Sequence, residues 1–235
     1  MITLVGVGHV FDIKDSVREI IIDRKPNVVC VELDRTRYQA LRAERKGARG
    51  TVPVGYRLLS HFQNRIAKKY GGKPGDEMLA AIDTAIDLKI DVAFIDVEAA
   101  VVFNEIWNRM SFKEKVKLLS AGFFGMFVGK KRVEKELKHF DENRDEYLSK
   151  FGDEFPVVKK ILVDDRDRNM ARAILELNKK YPGVIAVIGD GHVDGVNKLL
   201  ESLSPDVIRL KDILSGTWCR DSNRSVTISF SRGAA

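Results

Sequence analysis

Residues 2–10 read ITLVGVGHV and residues 184–193 read VIAVIGDGHV, so the motif Gly-x-Gly-His-Val ends two short apolar runs. Both runs are rich in β-branched residues and do not alternate with polar ones, which is typical of strands buried on both faces of a parallel sheet. Two further runs have the same character, and the four are Ile2–Val7, Val28–Leu33, Asp91–Val97 and Val184–Ile188. We therefore predict strands here, with a Gly-x-Gly-His-Val turn after the first and the last.

The segments between these runs have helical spacing. Val17, Ile20 and Ile21 form one apolar stripe, and the stretch PGDEMLAAI at residues 74–82 begins another helix. Alternation of strand and helix predicts an α/β fold, with a central, largely parallel sheet covered by helices on both faces.

Residues 104–162 show no strand pattern. Their charged helical spacing predicts a helical insertion that forms either a lid over the site or the contact of a homodimer. The tail, Ser225–Ser231, alternates like an edge strand. Because no low-complexity linker interrupts the chain, we predict a single domain over residues 1–235.

The charge of the chain is positive but dispersed. Forty basic and 34 acidic residues give a net charge of +6, and this spread does not indicate a nucleic-acid partner. The densest basic cluster is interpreted as a solvated loop, and it consists of Arg42, Arg45, Lys46 and Arg49.

Cysteine content and hydropathy favour a cytoplasmic protein. The two cysteines, Cys30 and Cys219, provide no disulfide framework, which suits a reducing compartment. No charged leader precedes the first strand, and the most apolar later stretch, Ala121–Val128, is too short to cross a bilayer. We expect no membrane span in this chain.

The predicted strand ends bring imidazoles and carboxylates to one edge of the sheet. In parallel sheets, ligands bind beyond the carboxyl ends of the strands. Imidazole and carboxylate are the ligands of a divalent metal of the zinc or manganese class. The polar side chains predicted at this edge are His9, Glu32, Asp34, Asp96, Glu98 and His192.

The first motif also imitates part of a dinucleotide-binding fingerprint. Gly6 and Gly8 follow a strand, and Glu32 ends the next one. Phe11, however, stands where that fingerprint needs Gly or Ala for close packing of the helix. This alternative is therefore the weaker one.

Three further charged residues lie in predicted helices, and two of them, Arg37 and Arg168, are candidates for the site. Arg37 begins the helix after the second strand and is either a polar group at the site edge or an exposed helix charge. Arg168, in the run DDRDR, is a candidate to bind an anionic intermediate, while the acids of that run are typical of a helix start. Glu77 is interpreted as a surface charge in a first helical turn.

These motifs, in this order, resemble the TraB/PrgY or pheromone-shutdown family, and more distantly the Tiki and GumN-like proteins. The resemblance covers roughly Leu4 to Ile213. It rests on GVGHV with Ser16, KPNVVCVELDRTRYQAL, Gln63 with PGDEMLAAI, FIDV with Trp107 and FKEKVKLL, DDRDRNMA, and IGDGHVDGV.

The resemblance implies a metal-dependent hydrolase whose site contains His9, His192 and Glu32. Arg37 and Arg168 would be family-typical polar partners. Peptidase activity has been proposed for this superfamily, and its PrgY-type members are associated with blocking a peptide pheromone. Many relatives also carry C-terminal membrane helices that this chain does not show.

One position departs from the family pattern. Val97 stands where the family typically has Arg after the strand-end Asp96, which weakens an acid–base role for Asp96.

The function we expect is hydrolysis of peptide bonds with a divalent metal. His9 and His192 would bind the metal, Glu32 would be a third ligand or the base that activates water, and Arg37 or Arg168 would stabilise the oxyanion. The alternative is a non-catalytic protein that sequesters a peptide or a metal in the same pocket.

Overall fold

The strands form one parallel sheet, as predicted. A computed structural model describes residues 1–8, 11–45, 73, 75–116 and 152–219. Within these residues five strands have the order β3-β2-β4-β1-β5, and every neighbouring pair is parallel. Their bounds are β1 (Ile2–Val7), β2 (Val28–Val31), β3 (Asp91–Phe94), β4 (Val184–Gly189) and β5 (Asp206–Ile208).

The sheet differs from the prediction in strand length and number. β2 and β3 end two and three residues earlier than predicted, so that Glu32 and Asp96 follow the strands instead of ending them. The strand β5 was not predicted, because three residues are too few to show a pattern.

The helices connect the strands in the predicted alternation. Their bounds are α1 (Lys14–Arg24), α2 (Arg35–Arg45), α3 (Asp76–Asp87), α4 (Ala99–Arg109), α5 (Pro156–Lys159), α6 (Asp165–Asn178), α7 (Asp190–Leu199) and α8 (Leu210–Ser215). A π-helical turn at Lys160–Asp164 joins α5 to α6, and a 3₁₀ turn at Glu201–Leu203 follows α7.

Both faces of the sheet are covered, which confirms the predicted fold class. Successive strand residues point to opposite faces. Val29 and Val31 of β2 accordingly join one core with α1, α3 and α8, while Val28 and Cys30 join another with α6 and α7. This burial on both faces is the reason why the strands are apolar without alternation.

The chain divides into two compact units, Met1–Asp96 with Arg168–Ala235, and Val97–Asp167. The first contains the sheet. The second has a small core of its own, formed by Met110, Phe155 and Val158. The predicted insertion at residues 104–162 lies partly outside the described residues, and the predicted tail strand lies wholly outside them. The single domain, the lid and the homodimer stay predictions.

The interpretation of the basic cluster as a loop was wrong for its first two members. Arg42 and Arg45 lie in α2 and form ion pairs with Asp83 of α3, and Arg45 also contacts Asp76. The hydrogen bond to Asp83 raises the pKa of Arg42 above its usual value, against the lowering effect of burial. Two of the four basic residues in this cluster therefore serve to pair α2 with α3 and are not part of a solvated loop. Lys46 and Arg49 lie outside the described residues.

Candidate functional site

The carboxyl ends of the central strands meet at one edge of the sheet. Val7 of β1 pairs with Gly189 of β4, and Val31 of β2 pairs with Val187 of β4. Since the strands are parallel, the residues that follow them leave the sheet on the same side. This brings the second histidine motif next to the residue that follows β2.

The two Gly-x-Gly-His-Val motifs differ in how soon a helix follows the strand. In the first, β1 runs through Val7, and α1 begins only at Lys14. In the second, β4 ends at Gly189 and α7 begins directly at Asp190. His192 therefore lies in the first turn of a helix instead of in a turn between elements. The backbone context, which the motif letters do not contain, makes this difference.

Glu32 is buried and held by the strand beside it. Its side chain is 5% exposed. Its backbone N–H donates to the carbonyl of Val187 at 3.0 Å, which continues the ladder one residue past β2. Its Oε2 accepts the N–H of Gly189 at 2.6 Å. Gly189 is the N-cap of α7, so this bond ties the Glu32 side chain to the start of that helix.

His192 faces the other oxygen of this carboxylate. Its Nε2 lies 3.5 Å from Oε1 of Glu32, and its side chain is 12% exposed. This separation is longer than a good N–H···O hydrogen bond, which measures about 2.7–3.2 Å. The prediction that these two side chains converge is confirmed, since strands β2 and β4 are neighbours.

The first histidine, His9, lies outside the described residues, which resume at Phe11. Among the described residues, no group of three or more His, Cys, Asp or Glu side chains is arranged to bind a metal ion. Of the three predicted metal ligands, the structure therefore describes two, Glu32 and His192.

Arg37 joins two buried carboxylates at the same edge. Its backbone N–H donates to Oδ1 of Asp34 at 2.8 Å, so Asp34 caps α2, and its Nε donates to Oδ2 of Asp34 at 2.6 Å. Its Nη2 donates to Asp96, which follows β3. The side chains of Asp34 and Asp96 are 4% and 1% exposed. The interpretation of Arg37 as an exposed helix charge was wrong.

Arg168 lies near the end of β3. It is exposed and lies in α6. The next residue, Asn169, donates from Nδ2 to the backbone carbonyl of Ile95 at 3.1 Å, which fixes this part of α6 beside the strand end. Arg168, the residue before Asn169, is thereby placed close to the end of β3, and its role at the site stays a prediction.

One carboxylate that the sequence suggested was exposed is buried. Glu77 lies in the first turn of α3 and is 1% exposed, so its interpretation as a surface charge was wrong. Since α3 runs back to the amino end of β3, its own N-terminus lies towards the carboxyl edge of the sheet. The sequence signal was weak, because acidic residues are common in exposed first turns.

Comparison with known proteins identifies the group of proteins to which these features belong. A model of the TraB/PrgY/gumN family matches residues 1–209. The chain belongs to the TraB/PrgY/gumN family. This confirms the resemblance drawn from the motifs, and the match includes both histidine motifs, Glu32, Arg37 and Arg168.

A relative of this TraB/PrgY/gumN-family chain is an uncharacterized protein of Methanocaldococcus jannaschii. The two are 31% identical over 220 residues, which is 86% of this chain and 54% of the relative. The chain thus spans about half the length of that relative. Among the residues that the structure describes, no helix has both the length and the apolar character needed to cross a membrane.

Proposed function

We propose that this protein is a hydrolase that depends on a divalent metal and acts on peptide bonds. The observation that carries the proposal is the buried pair of Glu32 and His192, whose facing atoms Oε1 and Nε2 are 3.5 Å apart. Two ligands of one tetrahedral zinc ion, each about 2.1 Å from it, lie about 3.4 Å apart. The donor types and their separation therefore fit a shared ion of the zinc or manganese class.

His9 is the proposed third protein ligand. The motif that contains it begins with the last two residues of β1, Gly6 and Val7, and Val7 pairs with Gly189 directly before α7. A bound divalent ion would lower the pKa of its water to about 7 and supply hydroxide at neutral pH.

Glu32 has two proposed roles, ligand or base. Its Oε2 is fixed by the N–H of Gly189, so only Oε1 faces His192. A carboxylate restrained in this way keeps one oxygen directed at the reacting centre, either to bind the metal or to accept a proton from water.

The two arginines differ in what they can contribute. Nε and Nη2 of Arg37 are engaged with Asp34 and Asp96, which favours a positioning role for Arg37, in which it ties α2 to the end of β3. Arg168 precedes Asn169, which is held at the end of β3, and Arg168 is the proposed cation that would stabilise an oxyanion.

Peptides are the proposed substrates because pheromone-shutdown proteins, which these motifs resemble, are associated with a peptide. The first test is the metal content and Zn²⁺ affinity of protein purified without chelator. His9→Ala and His192→Ala should each abolish stoichiometric binding of Zn²⁺ or Mn²⁺ and leave the circular dichroism spectrum unchanged. Glu176→Gln, in an exposed carboxylate that pairs with Lys179, is the control. Full metal content in both histidine variants would refute the site.

The second test separates enzyme from binder. Wild-type protein loaded with Zn²⁺ or Mn²⁺ is incubated with a peptide library, and products are identified by mass spectrometry. Cleavage that His192→Ala abolishes supports the hydrolase. Stoichiometric metal binding without cleavage would refute it and favour the sequestering protein.

A further inference from the structure

An arginine that follows β5 binds the first turn of α7, where His192 lies. In the sheet, β1 lies between β5 and β4, the strand that leads into α7. Arg209 follows β5, and its Nε and Nη2 donate to Oδ1 and Oδ2 of Asp190, each at 3.0 Å. Two parallel N–H···O bonds between guanidinium and carboxylate fix both orientation and distance. The side chains are 26% and 11% exposed, so water competes weakly for the pair.

Both members of this pair are fixed by further contacts. Oδ1 of Asp190 also accepts the N–H of Leu210 at 2.9 Å. The backbone N–H of Arg209 donates to Oδ2 of Asp212 at 3.0 Å, in the capping box of α8. Although burial lowers it, the hydrogen bonds to Asp190 and Asp194 raise the pKa of Arg209 above its usual value.

The carboxylate of Asp190 also lies directly over the first motif. A Cβ at Gly6 would collide with its Oδ1 and would lie 3.0 Å from Cγ2 of Val193. Only glycine at residue 6 therefore lets the start of α7 approach β1 this closely. Asp190 connects the second motif to β1 and β5 at once.

From these contacts we propose that Arg209 is a positioning residue for His192, acting through Asp190. This inference rests on the proposed function of the Glu32–His192 site. Asp190 is the first residue of α7 and His192 the third, so both belong to one helical turn. Fixing Asp190 fixes the axial rotation and height of this turn, and these set the distance from His192 to Glu32.

A second arginine near β5 provides a matched control. Arg24, at the end of α1, pairs with Asp206 at 3.1 Å at the amino end of β5. Its side chain is 32% exposed, close to the 26% of Arg209. Asp206 is 44% exposed and Asp190 only 11%, so the Arg24 pair is the more exposed of the two. Arg24→Gln therefore removes an ion pair beside the same strand without touching α7, at the amino end of the strands.

The experiment measures Zn²⁺ affinity by calorimetry for Arg209→Gln, Asp190→Asn, the double variant and Arg24→Gln. Loss of a group that orients a metal ligand through hydrogen bonds weakens metal binding about 10–100-fold. We expect about tenfold weaker binding for Arg209→Gln and less than twofold for Arg24→Gln, with the Tm of each variant measured alongside. Because Arg209 acts through Asp190, the Zn²⁺ affinity of the double variant should equal that of whichever single variant binds Zn²⁺ more weakly.

The conservative variant and a metal-free measurement complete the test. Arg209→Lys should recover only part of the affinity, since an ammonium cannot form the paired N–H bonds. In metal-free protein, Arg209→Gln should shift the ring signals of His192 in the NMR spectrum and speed hydrogen exchange of the Gly189 amide, whereas Arg24→Gln should do neither.

The outcomes separate the two proposals. If the wild type binds no metal, the proposed function fails, and the positioning role is then decided by the His192 signals and the Gly189 exchange alone. If Arg209→Gln lowers Tm but leaves Zn²⁺ affinity, His192 signals and Gly189 exchange unchanged, Arg209 is only structural. If the losses of Zn²⁺ affinity in the two single variants add up in the double variant, Arg209 does not act through Asp190, and the proposal is overturned.

Discussion

Replacing Arg37 with methionine removes a guanidinium from between two buried carboxylates. The side chains of Asp34 and Asp96 are 4% and 1% exposed, whereas that of Arg37 is 21% exposed. Breaking a buried pair by removing one partner costs about 3–5 kcal/mol, because a buried charge loses its compensation. Asp34 keeps the backbone N–H of residue 37, so we take the lower end and expect a loss of about 3 kcal/mol.

The assay is urea unfolding followed by circular dichroism, with Tm as a second measurement. For a chain of this size, about 3 kcal/mol corresponds to a fall in Tm of about 6–12 °C. The matched control is Arg42→Met, whose ion pair with Asp83 is 30% and 29% exposed. A pair of this exposure contributes at most about 1 kcal/mol.

A double variant tests the electrostatic cause. In Arg37→Met with Asp96→Asn, one of the two buried charges is gone, so part of the lost stability should return. Losses below about 1 kcal/mol in both Arg37→Met and Arg42→Met would refute the reasoning. A loss of about 3 kcal/mol that Asp96→Asn does not relieve would show that packing of the Arg37 side chain, and not charge, is responsible.

Three further predictions concern the site, the core and the motif. If Glu32 is the base, Glu32→Gln should keep most Zn²⁺ affinity while peptide turnover falls about 10²–10⁴-fold; equal loss of both would assign it as a ligand. Burial raises the pKa of Cys30 to about 12, so in the folded protein at pH 8 a thiol reagent should modify Cys219 and leave Cys30 unmodified until urea is added; rapid modification of both would contradict this. Gly6→Ala should destabilise the fold by about 1–3 kcal/mol, since its Cβ collides with Asp190, and an unchanged Tm would show that α7 can shift.

The family motifs and the apolar runs were enough to predict the kind of fold. Strands buried on both faces must be apolar throughout, and the helices that cover them must carry an apolar stripe. The composition of the strands and the hydrophobic period of the helices can therefore be read from the sequence. The strands β1 and β4 and the helix stripe through Val17 and Ile21 agree with this rule. The convergence of Glu32 and His192 was predictable too, because parallel strands of one sheet have their carboxyl ends at the same edge.

Tertiary structure decided which polar side chains are buried and what they contact. Arg37 and Arg42 lie in the same helix, yet the first joins two buried carboxylates and the second forms a half-exposed pair. Asp190 contacts Arg209 only because β5 lies beside β1. This neighbour could not be predicted from the sequence, because a strand of three residues shows no pattern. The sequence by itself determined the fold class and the end of the sheet at which the candidate site lies, since both depend on local periodicity. The environment of each charge depends on which elements become neighbours, and that is settled only when the sheet has its order.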